Sequence, residues 1–287
     1  MTEEQPEKLP LAPSNVRSAA LTELHHLTEQ VAKLSADDFR RPSGLAGGTV
    51  GDVAARLLLS LQLYGQVLDA LGRGKGRGVW KALGQVSKVM APLAEPAAEA
   101  LGSAGAKLVS STLPPDTLKS QIAGASSSLR QKMLAISPED YGHDVVILGH
   151  TWPLSYFLAL VTNELALRGW DIGAAFDPQA RLSEEARSVL PWFYWGGKFM
   201  VRAGVSGTIQ VRLADPGSEM WWKLQDGKTE VGVGEIPNPD VTIVGQTGTF
   251  ILALAGRIPP LDALRFAALE VEGKEELARE FLGSWKL

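Results

Sequence analysis

The chain has 287 residues, 45% hydrophobic and 21% charged, enough for about two domains with a real core and too apolar for disorder to be its default state. Twenty-eight Lys and Arg stand against 32 Asp and Glu, a net charge of −4, with no basic tail or aromatic-interleaved basic stripe, so nucleic acid is not expected as a partner. The absence of cysteine excludes disulfides and thiolate metal sites. The acidic, proline-containing first ten residues and the lack of any apolar run near the roughly 20 residues a bilayer requires point to a soluble cytoplasmic protein without a membrane partner.

Residues 1–13 read as a solvated, flexible tail. Periodicity begins at Ser14, where Val16, Ala20, Leu24, Leu27, Val31 and Leu34 recur at three- and four-residue steps, predicting an amphipathic helix that carries His25 and His26 side by side. Ser35 to Gly48 is a loop marked by Pro42, Gly44, Gly47 and Gly48. Thr49 then caps a second helix, with Asp52 completing a variant capping box, and Val50, Val53, Ala54, Leu57, Leu58, Leu61, Tyr64, Val67 and Leu68 form a broad apolar face. Arg56 lies close to that face instead of opposite it. The stretch Gly72-Arg73-Gly74-Lys75-Gly76-Arg77-Gly78 follows a helix and lacks the GxxxxGK[ST] spacing, so it is a basic connector or lid and not a nucleotide loop. A weaker, alanine-rich helical stretch runs from Val79 to about Ser111.

Pro114-Pro115-Asp116 opens a helix over Thr117 to Ile136. A short loop containing Gly142, His143, Gly149 and His150 follows, and Trp152-Pro153 leads into a long helix from Leu154 to about Ile172. On that helix Glu164, Arg168 and Asp171 share one face. Ser183 with Glu184 and Glu185 marks the start of another helix, whose Trp192, Phe193, Tyr194 and Trp195 would wall an apolar cavity near a domain junction. Past Gly204 the period becomes alternating. Strands are expected at Thr208–Leu213, Met220–Leu224, Thr229–Val233, Asp240–Val244 and Leu269–Glu272, with an Asp226-Gly227 hairpin turn and helical pieces at Thr247–Ala255, Pro260–Ala267 and Glu275–Leu282. The second domain is therefore α+β, an antiparallel sheet backed by helices.

Two segments, Thr49-Val50-Gly51-Asp52-Val53-Ala54-Ala55-Arg56 and Glu164-Leu165-Ala166-Leu167-Arg168-Gly169-Trp170-Asp171, resemble the DinB-like, mycothiol-dependent maleylpyruvate isomerase family. The pieces Asp240-Val241-Thr242-Ile243-Val244-Gly245, Leu254-Ala255-Gly256-Arg257-Ile258 and Leu269-Glu270-Val271-Glu272-Gly273 are similar to the sterol-carrier-like domain that often follows that bundle. The resemblance implies an α+β chain: a four-helix bundle over 14–204 and a small sterol-carrier-like domain over 205–287. It also implies a metal held by two histidines and a glutamate. Here both histidines are arginines, Arg56 and Arg168, and only Glu164 remains. A guanidinium offers no lone pair, so no metal is expected, and with it goes the support for a mycothiol cofactor.

Two planar forks beside one carboxylate suit a delocalised organic anion. The expectation is a metal-independent isomerase or cyclase of secondary metabolism acting on a hydrophobic, anionic or enolisable substrate. Arg56, Glu164 and Arg168 would be catalytic, and His150, Trp152, Tyr64, Asp171 and Trp192 would bind substrate. The alternatives are a non-catalytic carrier of an apolar ligand and a thiol-dependent transferase. Glu164 and Arg168 also fit an ordinary helix ion pair, and Arg56 could close a triad that is only structural.

Overall fold

The computed structural model describes residues 6–72, 104–147, 150–201, 204–265 and 268–285. The expectations for the basic glycine stretch and most of the weaker helix after it lie outside these residues. The chain divides into two compact units, 12–180 and 181–287, the second also taking in residues 6–11.

In the first unit, α1 (Pro13–Ala32), α2 (Val50–Gly72), α4 (Pro115–Leu134) and α5 (Leu154–Gly173) form a four-helix bundle in which α1 packs on α5 and α4, and α2 on α4 and α5. A further helical stretch, α3, is described over 104–112. The apolar spacing read from the sequence is the packing face: Val16, Ala20, Leu24, Leu27 and Val31 of α1 and Leu118, Ile122, Leu129 and Met133 of α4 are buried. Helix α5 is buried nearly all round, as a helix of its composition must be, and only its polar residues break the apolar surface. His25 and His26 are both exposed.

Among the described residues, no helix is long and apolar enough to cross a membrane. The segment between Gly142 and Leu154, expected as a loop, contains a hairpin of β1 (Asp144–Ile147) and β2 (His150–Pro153), with Val145 opposite Trp152. The β-branched residues Val145, Val146 and Ile147 give the reason; four residues were too short a run to show period two.

The second unit is built on a five-stranded sheet ordered β5-β4-β3-β6-β7: β3 (Gly207–Ala214), β4 (Ser218–Gln225), β5 (Lys228–Val233), β6 (Val241–Gln246) and β7 (Leu269–Gly273). The sheet is rich in antiparallel pairs but not wholly antiparallel, because β6 runs parallel to β3. Tight turns fix the β3–β4 and β4–β5 hairpins; Asp226 and Gly227, at φ 53° and 72°, make the second. Residues 234–240 instead carry the chain from the edge back beside β3; Gly234 and Asn238, at φ 86° and 49°, turn it, but do not by themselves say which strand it will join.

Helices α6 (Glu184–Gly196), α7 (Thr247–Leu254), α8 (Pro260–Arg265) and α9 (Glu275–Gly283) belong to this unit. Ser183 caps α6 by accepting from the Ala186 N–H at 3.0 Å. The sequence assigns α6 to the bundle domain ending at 204, whereas the compact unit begins at Arg181. Its aromatic side explains the difference: Trp195 Nε1 donates to the Gly232 carbonyl at 3.0 Å, and Tyr194 meets Trp285 edge-on at 5.4 Å. Trp222, Phe281 and Trp285 complete that aromatic core. The expected solvated tail is not what residues 6–11 form. Leu9 is buried, the Glu7 N–H donates to the Gly196 carbonyl at 3.1 Å, and Lys198 pairs with Glu7 at 2.7 Å.

The start of α2 matches the expected box. The Thr49 N–H donates to Asp52 Oδ2 at 3.0 Å, the Asp52 N–H donates to Thr49 Oγ1 at 3.2 Å, and Ser110 of α3 donates to Asp52 Oδ1 at 2.7 Å. Burial opposes ionisation of Asp52, but the Thr49 N–H, the Ser110 and Thr49 hydroxyls and the Lys107 charge prevail and hold its carboxyl below the ordinary range. A depressed folded pKa contributes stability that is full above the unfolded value of 3.8 and is lost as pH falls through the lower folded value. Thr49→Ala is expected to cost about 1 kcal/mol in denaturant melts. Asp52→Asn should be less stable than the parent at neutral pH, with the gap closing once the pH drops below the folded value; a gap independent of pH would contradict this assignment.

Candidate functional site

Glu164, Arg168 and Asp171 stand on one face of α5 at i, i+4 and i+7, and the structure joins them. Arg168 Nε donates to Glu164 Oε1 at 2.9 Å, and its NH1 donates to Asp171 Oδ2 at 3.1 Å. The Arg168 side chain is 10% exposed, that of Glu164 18% and that of Asp171 0%. Burial works against the Arg168 charge, yet Glu164 and Asp171 outweigh it and raise its pKa. The guanidinium reaches both carboxylates, Nε to Glu164 and NH1 to Asp171.

The tie to the facing helix is Ser60 of α2, whose hydroxyl donates to Glu164 Oε1 at 3.1 Å. One turn further along α2, the Tyr64 ring meets Phe157 of α5 edge-on at 5.7 Å. Moving forward on α2 therefore moves backward on α5, so the two helices run antiparallel. Arg56, Ser60 and Tyr64 follow at four-residue steps on one face of α2, which places Arg56 one turn from Ser60 in the direction of Arg168. Arg56 is half-buried. Tyr64 is buried, and burial first, then the Glu164 charge, pushes the phenol well above its usual range. It stays neutral at physiological pH.

The loop ahead of α2 closes the other end. The Gly44 N–H donates to the Asp171 carbonyl at 2.7 Å. A Cβ at Gly44 would lie 2.7 Å from the Trp170 ring and 3.2 Å from Asp171 Cα, so only glycine allows this approach. Trp170 is held in turn by its Nε1 donating to the Ala180 carbonyl at 3.0 Å.

The other sequence candidates fall elsewhere. The His150 backbone pairs with Ile147 in the hairpin, and its side chain is outside the described residues. Trp152 meets Tyr156 edge-on at 5.4 Å, and Tyr156 is eight residues before Glu164, roughly 12 Å along the helix axis, so Trp152 is not part of the cluster. Trp192 belongs to the second unit, where it meets Trp195 at 6.2 Å. Ser60 was missed by sequence reasoning. Its signal was a hydroxyl at the step between Arg56 and Tyr64 on a face otherwise made of Leu57, Leu58 and Leu61.

The residues present do not fit the divalent metal that the family resemblance implies. Of the three positions, two are guanidinium-bearing, and the carboxylate oxygen Glu164 Oε1 already accepts from Arg168 and Ser60. Among the described residues, no group of three or more His, Cys, Asp or Glu side chains gathers to hold a metal.

Because Asp171 is wholly buried, removing its partner strands a charge. Arg168→Ala is expected to destabilise the protein by about 3–5 kcal/mol in urea melts. Arg168→Ala with Asp171→Asn should recover a large part of that loss. A loss below about 1 kcal/mol for the single change would mark the pair as solvated.

Residues 201–283 match the SCP-2 sterol transfer family. Over the chain as a whole, the structure is similar to the crystal structure of the mycothiol-dependent maleylpyruvate isomerase, with TM-score 0.57 and 16% identity over 92% of this chain and 96% of that chain. A histidine-to-alanine mutant of the mycothiol-dependent maleylpyruvate isomerase gives TM-score 0.55 and 17% identity over 86% of this chain and 90% of that chain. Sterol carrier protein 2 from Yarrowia lipolytica overlaps 27% of this chain and 64% of its own, at 21% identity and TM-score 0.24. Comparison with curated proteins finds no match. The resemblance read from the sequence thus holds as fold: the chain has the architecture of the mycothiol-dependent maleylpyruvate isomerase, and its residues 201–283 match the SCP-2 sterol transfer family.

Proposed function

We propose that the protein is a metal-independent enzyme acting on a small hydrophobic anion or enolisable metabolite, an isomerase or cyclase, with its chemistry between α2 and α5. The observation that carries this reading is the buried Arg168 fork joining Glu164 and Asp171 at 2.9 and 3.1 Å, on the face of α5 that meets Ser60 and Tyr64. Polar groups of this kind cost free energy inside a bundle, and an ordered constellation of them is suited to hold developing charge.

The geometry refines the division of labour among the arginines. Arg168 is neutralised by two carboxylates and serves to orient Glu164. Arg56, half-buried on the facing helix, has a protein partner of its own, and with five N–H donors a guanidinium can serve that partner and an anionic ligand together. Loss of a proton from the substrate carbon would leave an enolate whose oxygen Arg56 stabilises, and return of a proton at another carbon would complete an isomerisation.

A second reading, an apolar-ligand carrier, is favoured by the SCP-2 match over 201–283.

Titration calorimetry with small carboxylates such as benzoate and maleate tests the proposal. Binding is expected in the intact protein, unchanged after treatment with a chelator, and weakened about tenfold to hundredfold by Arg56→Ala, as loss of a charge-assisted hydrogen bond implies. Equal affinity in the variant, or loss of binding on chelation, would overturn it.

A further inference from the structure

Resting on the reading that substrate is held beside Glu164, we propose that Asn163 is a ligand-binding residue. Its carboxamide oxygen accepts a hydrogen bond from a hydroxyl group, which narrows the substrate to a hydroxylated apolar compound.

The place is set by where α5 can be reached. From Leu154 to Arg168 every residue is buried except Leu160 and Glu164, which are half-buried. Those two are four residues apart and neighbour each other on one face, so they mark one opening onto this part of the helix. Glu164 is its polar side, with Arg168 and Ser60 already donating to Oε1, and Leu160 is its apolar side. Asn163 borders the same opening. Three residues beyond Leu160, it is a direct neighbour of that leucine on the helix surface, and it diverges from Glu164 by about 100°.

Asn163 is itself 4% exposed, and its Oδ1 is enclosed with no hydrogen-bond partner among the described residues. Its position explains why the helix cannot satisfy it. In a helix interior every backbone N–H is spent on the carbonyl four residues back, so a side chain that donates finds a partner at home and one that accepts does not. The preceding residue shows the contrast: Thr162, at 0% exposure, turns its hydroxyl onto the Leu158 carbonyl at 2.9 Å. A half-turn of the Asn163 carboxamide gives no relief, because it puts two N–H donors where one acceptor stands. A buried acceptor left unpaired is a standing cost to the folded protein, and a donor brought by a ligand removes it.

The surroundings choose the donor. The carboxylates of Glu164 and Asp171 are balanced by the guanidiniums of Arg168 and of Arg56 on the facing helix, so no surplus negative charge favours an ammonium group. A neutral hydroxyl on an apolar body fits an acceptor set beside a leucine. With an acid group at Arg56, such a ligand is a hydroxy acid.

The test compares phenol with fluorobenzene, two apolar rings of nearly equal size of which only phenol donates. Full-length protein labelled with nitrogen-15 at asparagine gives three side-chain amide pairs, from Asn15, Asn163 and Asn238, and Asn163→Leu assigns its pair by loss. Phenol is expected to move the Asn163 pair to saturation and, in titration calorimetry, to bind about tenfold more tightly than fluorobenzene. In Asn163→Leu the two should bind alike; Asn163→Ala gives the same comparison where leucine does not fold. An unmoved Asn163 pair, equal affinities in the parent, or a phenol preference that survives the substitution would overturn the assignment, the acceptor then serving water or nothing. Phenol carries no carboxylate, so failure of anion binding at Arg56 leaves this result standing, and failure of the hydroxyl preference leaves the anion site standing.

Discussion

A guanidinium with almost no access to water, at Arg168, constrains everything around it. Its charge is tolerable because Glu164 and Asp171 are both within hydrogen-bond distance, and Arg168 in turn pairs the Asp171 carboxylate at 0% exposure. Neither carboxylate can be supplied by a flexible loop at such cost. All three therefore sit on one rigid helix, at the spacing where side chains meet. The Gly44 loop packs against the far end, its backbone meeting Asp171 at a distance that admits no side chain. Local helix geometry, a buried charge balance and a glycine's lack of bulk are thus one arrangement.

The rest of the bundle serves that arrangement. Helix α5 is buried nearly all round, so the cluster lies where hydrogen bonds are strong and unpaired groups are expensive. Helix α2 presents Arg56, Ser60 and Tyr64 toward it in a register set by the Ser60–Glu164 and Tyr64–Phe157 contacts. At the start of α2, the Thr49–Asp52 box, tied to α3 through Ser110, fixes the helix from which those side chains project. The second unit has its own core, in which Trp222, Phe281 and Trp285 meet one another.

What could be read in advance was what local chemistry encodes. The caps at Thr49 and Ser183, the apolar spacing of α1 and α4, the Asp226-Gly227 turn and the shared face of Glu164, Arg168 and Asp171 each depend on residues a few positions apart, and each was found where expected. What could not be read depends on tertiary partners. The parallel pairing of β3 with β6 is set by a crossing whose turn residues, Gly234 and Asn238 among them, mark a turn but not its destination. Helix α6 has an apolar face that would suit either unit until Trp195 and Tyr194 find Gly232 and Trp285. The β1–β2 hairpin was too short to show its period. Ser60 had only a weak mark, a hydroxyl between Arg56 and Tyr64 on an apolar face, and gains its meaning when the helix opposite supplies Glu164.

Arg56 and Arg168 are the same residue in different settings: Arg168 is held by two carboxylates of its own helix, whereas Arg56 is half-buried on the facing helix, where the proposed function gives it the ligand. Nitrogen-15 NMR of the arginine side chains, recorded while benzoate is added, separates the two most directly. The Arg168 Nε–H signal should be protected from exchange and stay in place through the titration, while the Arg56 signals shift to saturation. Movement of the Arg168 signals with Arg56 unaffected would contradict the account, since the buried fork would then be the ligand site and not the frame that holds it.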